Sequence, residues 1–132
     1  CARAGFPRVT GVEVSSGAIS SAISAARHAG LSRSAASFIA DDATSWARAQ
    51  SAADVPDVIV VNPPRRGIGA DLAAYLNECD APRVIYSSCN PASLAKDLAA
   101  MPTLRPVEGR LFDMFPHTTH AEVALLLERA SA

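Results

Sequence analysis

Short apolar segments alternate with helical patterns along most of this sequence, and that alternation restricts the folds that the chain can adopt. Apolar, β-branched and aromatic residues predict strands at about residues 8–14, 35–40, 57–61 and 84–89. Helical spacing of apolar residues follows each strand, at about residues 18–30, through Trp46 to about residue 53, at 71–78 and at 91–101. Repeated units of this kind predict a mostly parallel sheet that helices cover on both faces.

The last part of the chain departs from this alternation. From Leu104 onward two further strands are predicted, at about residues 105–112 and 120–128, with a turn at residues 116–118 between them. Strands that a short turn joins are antiparallel, so we expect this pair at one edge of the sheet. The predicted fold class is therefore α/β, mostly parallel with an antiparallel C-terminal edge, and 132 residues are enough for one domain.

Composition restricts the function classes that fit this chain. It is 49% hydrophobic with a formal net charge of −1, which is typical of a soluble globular segment and not of a self-sufficient nucleic-acid binder. No apolar run reaches the roughly 18 residues that a membrane span requires. The three cysteines form no paired pattern and no metal-ligand cluster, so we expect a reducing, cytoplasmic setting and no metal site.

Cys89 lies between a predicted strand and a predicted helix. Asn90 is a favourable N-cap and Pro91 a favourable first helical residue, so the helix is expected to begin directly after this cysteine. Open α/β sheets bind their ligands at such strand ends, and a helix N-terminus favours the nucleophilic thiolate form of a cysteine. A small buried structural thiol is the alternative, and the position alone does not separate the two interpretations.

Polar side chains also follow the other three parallel strands. Glu13 ends the first strand, where an acid can accept both hydroxyls of a nucleotide ribose, although a solvated acid is the alternative. Asp41 and Asp42 end the second strand, within reach of an adenine amino group, and one of them is equally suited to cap the next helix. Asn62 ends the third strand, because the two prolines after it cannot continue a ladder. We expect these residues and Cys89 at one edge of the sheet.

Four motifs carry a resemblance to a known family. They are Asn-Pro-Pro-Arg-Arg-Gly at residues 62–67, Tyr-Ser-Ser-Cys-Asn-Pro at 86–91, Phe-Asp-Met-Phe-Pro-His-Thr at 112–118 and His-Ala-Glu at 120–122. In this order they resemble the RNA uracil-C5-methyltransferases that form 5-methyluridine, most closely the bacterial 23S ribosomal RNA branch, in which Asn-Pro-Pro-Arg ends the third strand. The resemblance extends from about Val9 to Glu128 and implies a class I, Rossmann-like methyltransferase fold.

The resemblance implies S-adenosylmethionine as the methyl donor, with Glu13 and Asn62 lining its pocket and Asp42 near the adenine. It also implies Cys89 as the nucleophile and Glu122 as the base. Uracil C5 is a poor nucleophile, and addition of a thiolate to C6 makes C5 enolate-like, so covalent catalysis divides one difficult step into easier ones. A base must then remove the C5 proton, which suits a carboxylate on an adjacent strand.

The remaining candidate residues concern the substrate, which the resemblance implies is RNA, ribosomal or transfer. Arg65, with Arg66 beside it, is suited to hold a phosphate or a flipped base, and an exposed, solvated arginine pair is the alternative. Phe115 is close enough to the loop to stack on a base. His117 and His120 are more typical of structural turn residues. For Glu122 the alternative is a salt-bridged edge carboxylate.

The resemblance further implies that a first strand with a glycine-rich turn precedes Cys1 in the family. In the family an RNA-binding domain also precedes this position, and many members have a segment with an iron–sulfur cluster there as well. We therefore expect residues 1–132 to be the C-terminal portion of a single methyltransferase catalytic domain, and to be inactive alone. The missing strand would lie between the strands of Glu13 and Asn62, so their edges would be exposed and prone to self-association.

Two other functions fit parts of the pattern. An amino-group methyltransferase also uses Asn-Pro-Pro, but Arg65 replaces the expected aromatic residue and Cys89 would have no role there. A degenerate methyltransferase-like domain that serves as a binding module is the non-enzymatic alternative.

Overall fold

The computed structural model describes residues 1–114, 117–118 and 121–130. By its internal contacts the chain divides into two compact units, Cys1–Ala49 and Gln50–Ala132. Each unit has its own sheet.

The first unit is a parallel strand–helix–strand unit followed by a short helix. Its elements are a 3-10 turn at Ala2–Ala4, β1 (Val9–Glu13), α1 (Ser16–His28), β2 (Ala36–Ala40) and α2 (Ala43–Arg48). β1 and β2 pair in parallel register from Val9 with Ala36 to Glu13 with Ala40. The first two predicted strands and the helix between them are confirmed.

Both ends of α1 are closed by hydrogen bonds of their expected types. The Ser15 hydroxyl accepts the Ala18 N–H at 3.2 Å as the N-cap. Beyond the last turn Gly30 adopts a φ of 72°, and the N–H of Leu31 donates to the Ala26 carbonyl at 2.9 Å. This is a Schellman ending, so the prediction of Gly30 as the C′ residue is confirmed.

The second unit contains a four-stranded sheet. Its elements are a 3-10 turn at Ala52–Asp54, β3 (Val58–Val61), α3 (Ala70–Glu78), β4 (Arg83–Ser88), α4 (Pro91–Ala99), β5 (Leu104–Phe112) and β6 (Glu122–Arg129). The strand order is β3-β4-β6-β5, with β3 and β4 parallel and β6 antiparallel to both β4 and β5. The predicted antiparallel pair lies at one edge of the sheet, and β6 is its inner member.

The core of the second unit lies on one face of this sheet. Val84, Tyr86 and Leu127 are fully buried there and pack in one cluster with Leu76 from α3 and Leu94 from α4. Each fully buried side chain of this size contributes roughly 1.5–3 kcal/mol through removal of apolar surface from water. No helix in the described part of the chain is long and apolar enough to span a bilayer.

The outer strands differ in how their edges are protected. Within the described residues β1 pairs only with β2, and β3 pairs only with β4. At the opposite edge, β5 carries Pro106 and a register shift between Pro106 and Glu108. A proline and a bulge both discourage pairing with another strand, and β3 (Val-Ile-Val-Val) has neither.

Candidate functional site

Three of the predicted site residues lie at one edge of the sheet in the second unit. β3 and β4 are parallel, so Asn62 after β3 and Cys89 after β4 follow strands that end on the same side. β6 is antiparallel to β4 and pairs Val123 with Ser88, so Glu122 at its start lies beside the end of β4. The structure therefore brings Asn62, Cys89 and Glu122 to a common edge, here named the second-unit rim.

Cys89 occupies a turn that its two neighbours hold in shape. The Ser88 hydroxyl accepts the Asn90 N–H at 3.1 Å, and the Asn90 carboxamide oxygen accepts the Ala92 N–H at 3.1 Å. The predicted N-cap and the start of the helix at Pro91 are thus confirmed. Cys89 is half-buried, so it is not enclosed by the core on which α4 packs.

Glu122 accepts a hydrogen bond from a residue that sequence reasoning did not single out. The Ser87 hydroxyl donates to Glu122 Oε1 at 2.5 Å, and both residues are half-buried. The register pairs Ser87 with Ala124, so Ser87 and Glu122 are diagonal neighbours on one face of the sheet. Within the described residues Glu122 forms no ion pair, and its predicted alternative as a salt-bridged edge carboxylate is not observed there.

The arginine loop, residues 65–69, is tied to the turn that contains Cys89. The Asn90 side-chain Nδ2 donates to the Arg65 carbonyl at 2.8 Å, so one side chain caps α4 and holds the loop. Arg65 and Arg66 both lie on the exposed surface of the loop. The backbone that presents the two arginines is therefore fixed relative to the start of α4.

A buried carboxylate fixes the other end of the same loop. Asp97 is 5% exposed, and its Oδ2 accepts the Ile68 N–H at 2.9 Å and the Tyr86 hydroxyl at 2.5 Å. Gly67 has a φ of 88°, and a Cβ at this position would collide with the Asp97 carboxylate. Burial, followed by the hydrogen bond to Asp97, raises the pKa of Tyr86.

Sequence reasoning missed the role of Asp97, although the sequence contains a signal for it. Leu94, Leu98 and Met101 mark the inward face of α4, and Asp97 lies on that face at helical spacing. A carboxylate among buried apolar positions requires hydrogen-bond partners. The pattern would have indicated a buried polar contact but not its partners.

The remaining two donor-pocket candidates lie in the first unit. Glu13 Oε1 accepts the Ser15 N–H at 3.0 Å, and the Asp41 N–H donates to the Glu13 carbonyl at 3.2 Å. Asp42 is the N-cap of α2, and its Oδ1 accepts the Ser45 N–H at 2.8 Å. The backbone N–H of Ser45, followed by the Ser45 side chain, lowers the pKa of Asp42. The capping role weighed for Asp41 or Asp42 is thus filled by Asp42, and contact with an adenine stays a prediction.

Some predicted features lie outside the described residues. These include Phe115, Pro116 and His120, whereas His117 is described and has a φ of 67°. Because the two units are described separately, the single edge predicted to join Glu13 and Asp42 with Asn62 and Cys89 also stays a prediction. Among the described residues no group of three or more His, Cys, Asp or Glu side chains is arranged to hold a metal ion.

Comparison with known families gives a match over more than half of the chain. The sequence pattern of the tRNA (uracil-5-)-methyltransferase family matches residues 53–130, which include the second-unit rim. The chain belongs to this family. The resemblance to RNA uracil-C5-methyltransferases that the motifs indicated is confirmed.

Individual relatives extend the family match to nearly the whole chain. The 23S rRNA (uracil(747)-C(5))-methyltransferase RlmC of Edwardsiella ictaluri is 49% identical over 94% of this chain and 32% of its own length. The protein of the same name from Shewanella amazonensis is 48% identical over 100% of this chain and 34% of its own length. The chain thus spans about a third of the length of these relatives.

A solved structure of the family has the same fold. The tRNA (uracil-54, C5)-methyltransferase of Pyrococcus abyssi, in complex with S-adenosyl-L-homocysteine, superposes with a TM-score of 0.79 at 31% identity. The match covers 96% of this chain and 30% of that protein. The chain therefore has the Rossmann-like α/β fold of S-adenosylmethionine-dependent methyltransferases, and the predicted fold class is confirmed.

Proposed function

We propose that the protein to which these residues belong transfers a methyl group from S-adenosylmethionine to C5 of a uridine in RNA, with 23S ribosomal RNA as substrate. The observation that carries this proposal is the pairing of β4 with β6, which places Glu122 beside the strand end that Cys89 follows. The names of the relatives from Edwardsiella and Shewanella support the RNA and the position on the base. We also infer that residues 1–132 are the C-terminal portion of one catalytic domain.

Cys89 acts as the nucleophile in this proposal. Its sulfur forms a bond to uracil C6, and the electron pair of the C5=C6 bond moves into an enolate that makes C5 nucleophilic. The turn that contains Cys89 is stabilised by hydrogen bonds of Ser88 and Asn90 on its two sides, which position the residue at the rim. Such fixed positioning reduces the entropy cost of the attack.

Glu122 acts as the base that completes the reaction. After C5 carries the methyl group, the carboxylate takes the C5 proton, the C5=C6 bond forms again and the Cys89 sulfur leaves C6. Glu122 Oε1 accepts the Ser87 hydroxyl, and Oε2 accepts no hydrogen bond within the described residues. In this proposal Oε2 takes the proton.

The donor set of the first unit fits the polar parts of S-adenosylmethionine. Glu13 and Asp42 follow adjacent parallel strands, and Glu13 Oε2 accepts no hydrogen bond within the described residues, so it is available to a ribose hydroxyl. Asn62 supplies a carboxamide at the end of β3. When bound, S-adenosylmethionine supplies an electrophilic methyl group. The complex of the Pyrococcus protein with S-adenosyl-L-homocysteine supports this choice of donor.

RNA contacts are assigned to Arg65 and Phe115. Arg65 lies on an exposed loop whose backbone is bound to Asn90, which suits contact with a phosphate or an extruded base. Phe115 belongs to the Phe-Asp-Met-Phe-Pro-His-Thr motif and would stack on a base.

An RNA substrate and three unpaired cysteines also support a cytoplasmic protein. Self-association of the isolated 132 residues through the edges of β1 and β3, which are unpaired within the described residues, is part of the same proposal.

Trapping with 5-fluorouridine tests the proposed chemistry. The full-length protein is incubated with donor and a ribosomal RNA fragment in which 5-fluorouridine replaces uridine. Fluorine at C5 cannot leave as a proton, so the protein should remain covalently attached to the RNA. Cys89→Ala should abolish the attachment, which denaturing electrophoresis measures.

Cys79→Ala is the matched control. Cys79 is also a half-buried free thiol of the second unit, but it follows α3 and not a strand of the rim. This variant should form the adduct as the wild type does. Methylation of an exocyclic amine without any adduct would overturn the proposal in favour of an amino-group methyltransferase.

A further inference from the structure

The hydroxyl of Ser87 is the hydrogen-bond donor that the structure aims at Glu122. Ser87 Oγ lies 2.5 Å from Glu122 Oε1, and the two residues are 35 positions apart in the sequence. The side chains of β4 alternate between buried and more exposed positions, with Val84, Tyr86 and Ser88 on the core face. Ser87 therefore projects from the opposite face, which is also the face of Glu122.

The other neighbours of Glu122 on this face do not offer a comparable partner. Phe112, its direct partner on β5, and Ala124, which follows it on the same face of β6, have no polar side-chain group. Arg110 of β5 is paired with Ala124 of β6, but its Nε lies 3.2 Å from Glu108 Oε1, with which it forms an ion pair. Within the described residues the orientation of the Glu122 carboxylate is consequently set by Ser87.

The register between β4 and β6 shows how close the hydrogen bond between Ser87 and Glu122 lies to Cys89. The pairing of β4 with β6 runs from Arg83 with Glu128 to Ser88 with Val123. The next pair in this sequence would be Cys89 with Glu122, one step beyond the last pair that is formed. Ser87, two residues before Cys89 on β4, thus contacts one oxygen of the Glu122 carboxylate from the side away from the rim.

We propose that Ser87 is a positioning residue that orients Glu122 for removal of the C5 proton. This inference rests on the proposed function, in which Glu122 is the base. It makes a specific kinetic claim: Ser87 affects release of the covalent adduct and not its formation. A serine with only a structural role in the strand would not affect release of the adduct while leaving its formation unchanged.

Single-turnover kinetics with the full-length protein and unmodified RNA test this claim. Formation and decay of the covalent complex are followed by rapid quench and denaturing electrophoresis. Ser87→Ala should form the complex at the wild-type rate and release it at least about tenfold more slowly, the lower limit expected for loss of a hydrogen bond to a charged group. Ser87→Thr keeps a hydroxyl and should release at close to the wild-type rate.

Two further variants distinguish the role of Ser87 from the role of Glu122 as the base. Glu122→Gln should itself accumulate the complex, and Ser87→Ala should slow release no further in that background, because Ser87 acts through Glu122. Ser37→Ala is the matched control, since Ser37 is also a half-buried strand serine bonded to a side chain of the neighbouring strand, Thr10. It should leave both rates unchanged.

The possible contradictions are distinct. If Ser87→Ala released the covalent complex at the wild-type rate while Glu122→Gln released it slowly, the role of Ser87 would be overturned and the proposed function would stand. Slower formation in Ser87→Ala would also overturn it, because Ser87 would then act on the turn of Cys89. Wild-type release by Glu122→Gln would overturn both the base assignment and the inference built on it.

Discussion

Asp97 shows how one buried carboxylate organises the surroundings of the rim. It accepts hydrogen bonds from the backbone of the arginine loop and from the hydroxyl of Tyr86, which is fully buried. Gly67 passes so close to the carboxylate that a side chain would not fit. Loop, strand and helix are thereby joined at one side chain, and its contacts are expected to contribute to stability as well as to geometry.

Tyr86→Phe tests the energetic contribution of this contact. Removal of the hydroxyl leaves the buried carboxylate with one partner fewer, so the free energy of unfolding should fall by about 1.5–3 kcal/mol near neutral pH. Tyr75→Phe is the control, because Tyr75 is a half-buried tyrosine whose hydroxyl forms no hydrogen bond with Asp97. Urea unfolding followed by circular dichroism measures both. Equal losses in the two variants would contradict a specific contribution from the Asp97 contact.

The raised pKa of Tyr86 adds a pH dependence with a defined sign. In the folded state the neutral phenol is favoured, so its contribution is fully present below the unfolded pKa of about 10. It is lost as pH rises above that value, because the unfolded chain releases its proton first. Stability should therefore fall less between about pH 9 and about pH 11 in Tyr86→Phe than in the wild type. If the stability of Tyr86→Phe fell with pH as steeply as that of the wild type, other groups would be the cause of the loss of stability at alkaline pH.

At the scale of elements, the strands at the two edges of the second sheet differ in kind. β5 has a proline and a bulge, which are features that discourage pairing with another chain. β3 consists of four apolar β-branched residues, and Val60 within it is 53% exposed. An edge of this composition is a template for strand addition, so β3 and not β5 is the expected site of self-association.

Lysine substitutions on the two edges test this difference. Val60→Lys on β3 should reduce self-association of the 132-residue chain, because a charge on an edge strand opposes pairing. Val107→Lys on β5 introduces the same charge at a similarly exposed valine, 48% against 53%, and should have little effect. Sedimentation velocity over a range of protein concentrations measures both. A monomeric wild type would rule out the proposal, and equal effects of the two lysines would remove β3 as the site.

For the whole molecule, the important fact is that the chain spans about a third of the length of its relatives. Glu13 and Asp42, which are proposed to contact the donor, belong to one compact unit, and Asn62 and Cys89 belong to the other. We therefore expect donor binding to depend on more of the protein than these 132 residues.

Calorimetry with S-adenosyl-L-homocysteine tests this expectation. The full-length protein should bind with micromolar affinity, and the 132-residue chain should bind at least about tenfold more weakly, a difference of about 1.4 kcal/mol or more. Circular dichroism of the shorter chain serves as the control that it is folded. Micromolar binding by the folded 132-residue chain would contradict the expectation.

Much of the fold was predictable because its signals are local. The parallel strands and the helices α1, α3 and α4 occur within about two residues of the predicted bounds, which is the usual uncertainty of element ends. The prediction for α2 was wrong at its end, because the helix stops at Arg48 and a separate 3-10 turn follows at Ala52–Asp54. Gly30 and Asn90 were recognised at the ends of helices, since capping depends on residues within one turn. Asp42 was left between two roles because the same carboxylate suits a cap and a ligand, and the structure shows the cap.

By itself, the sequence determined the order of the elements and which polar residues follow each strand, because periodicity and end signals act within a few residues. Only the tertiary structure decided that β6 lies between β4 and β5, that Glu122 starts beside the end of β4, and that Ser87 and Asp97 have their particular partners. Strand order and register depend on hydrogen bonds between segments far apart in the chain. No local pattern encodes them, because a shift of one residue in register exchanges the faces of a strand while its sequence stays the same.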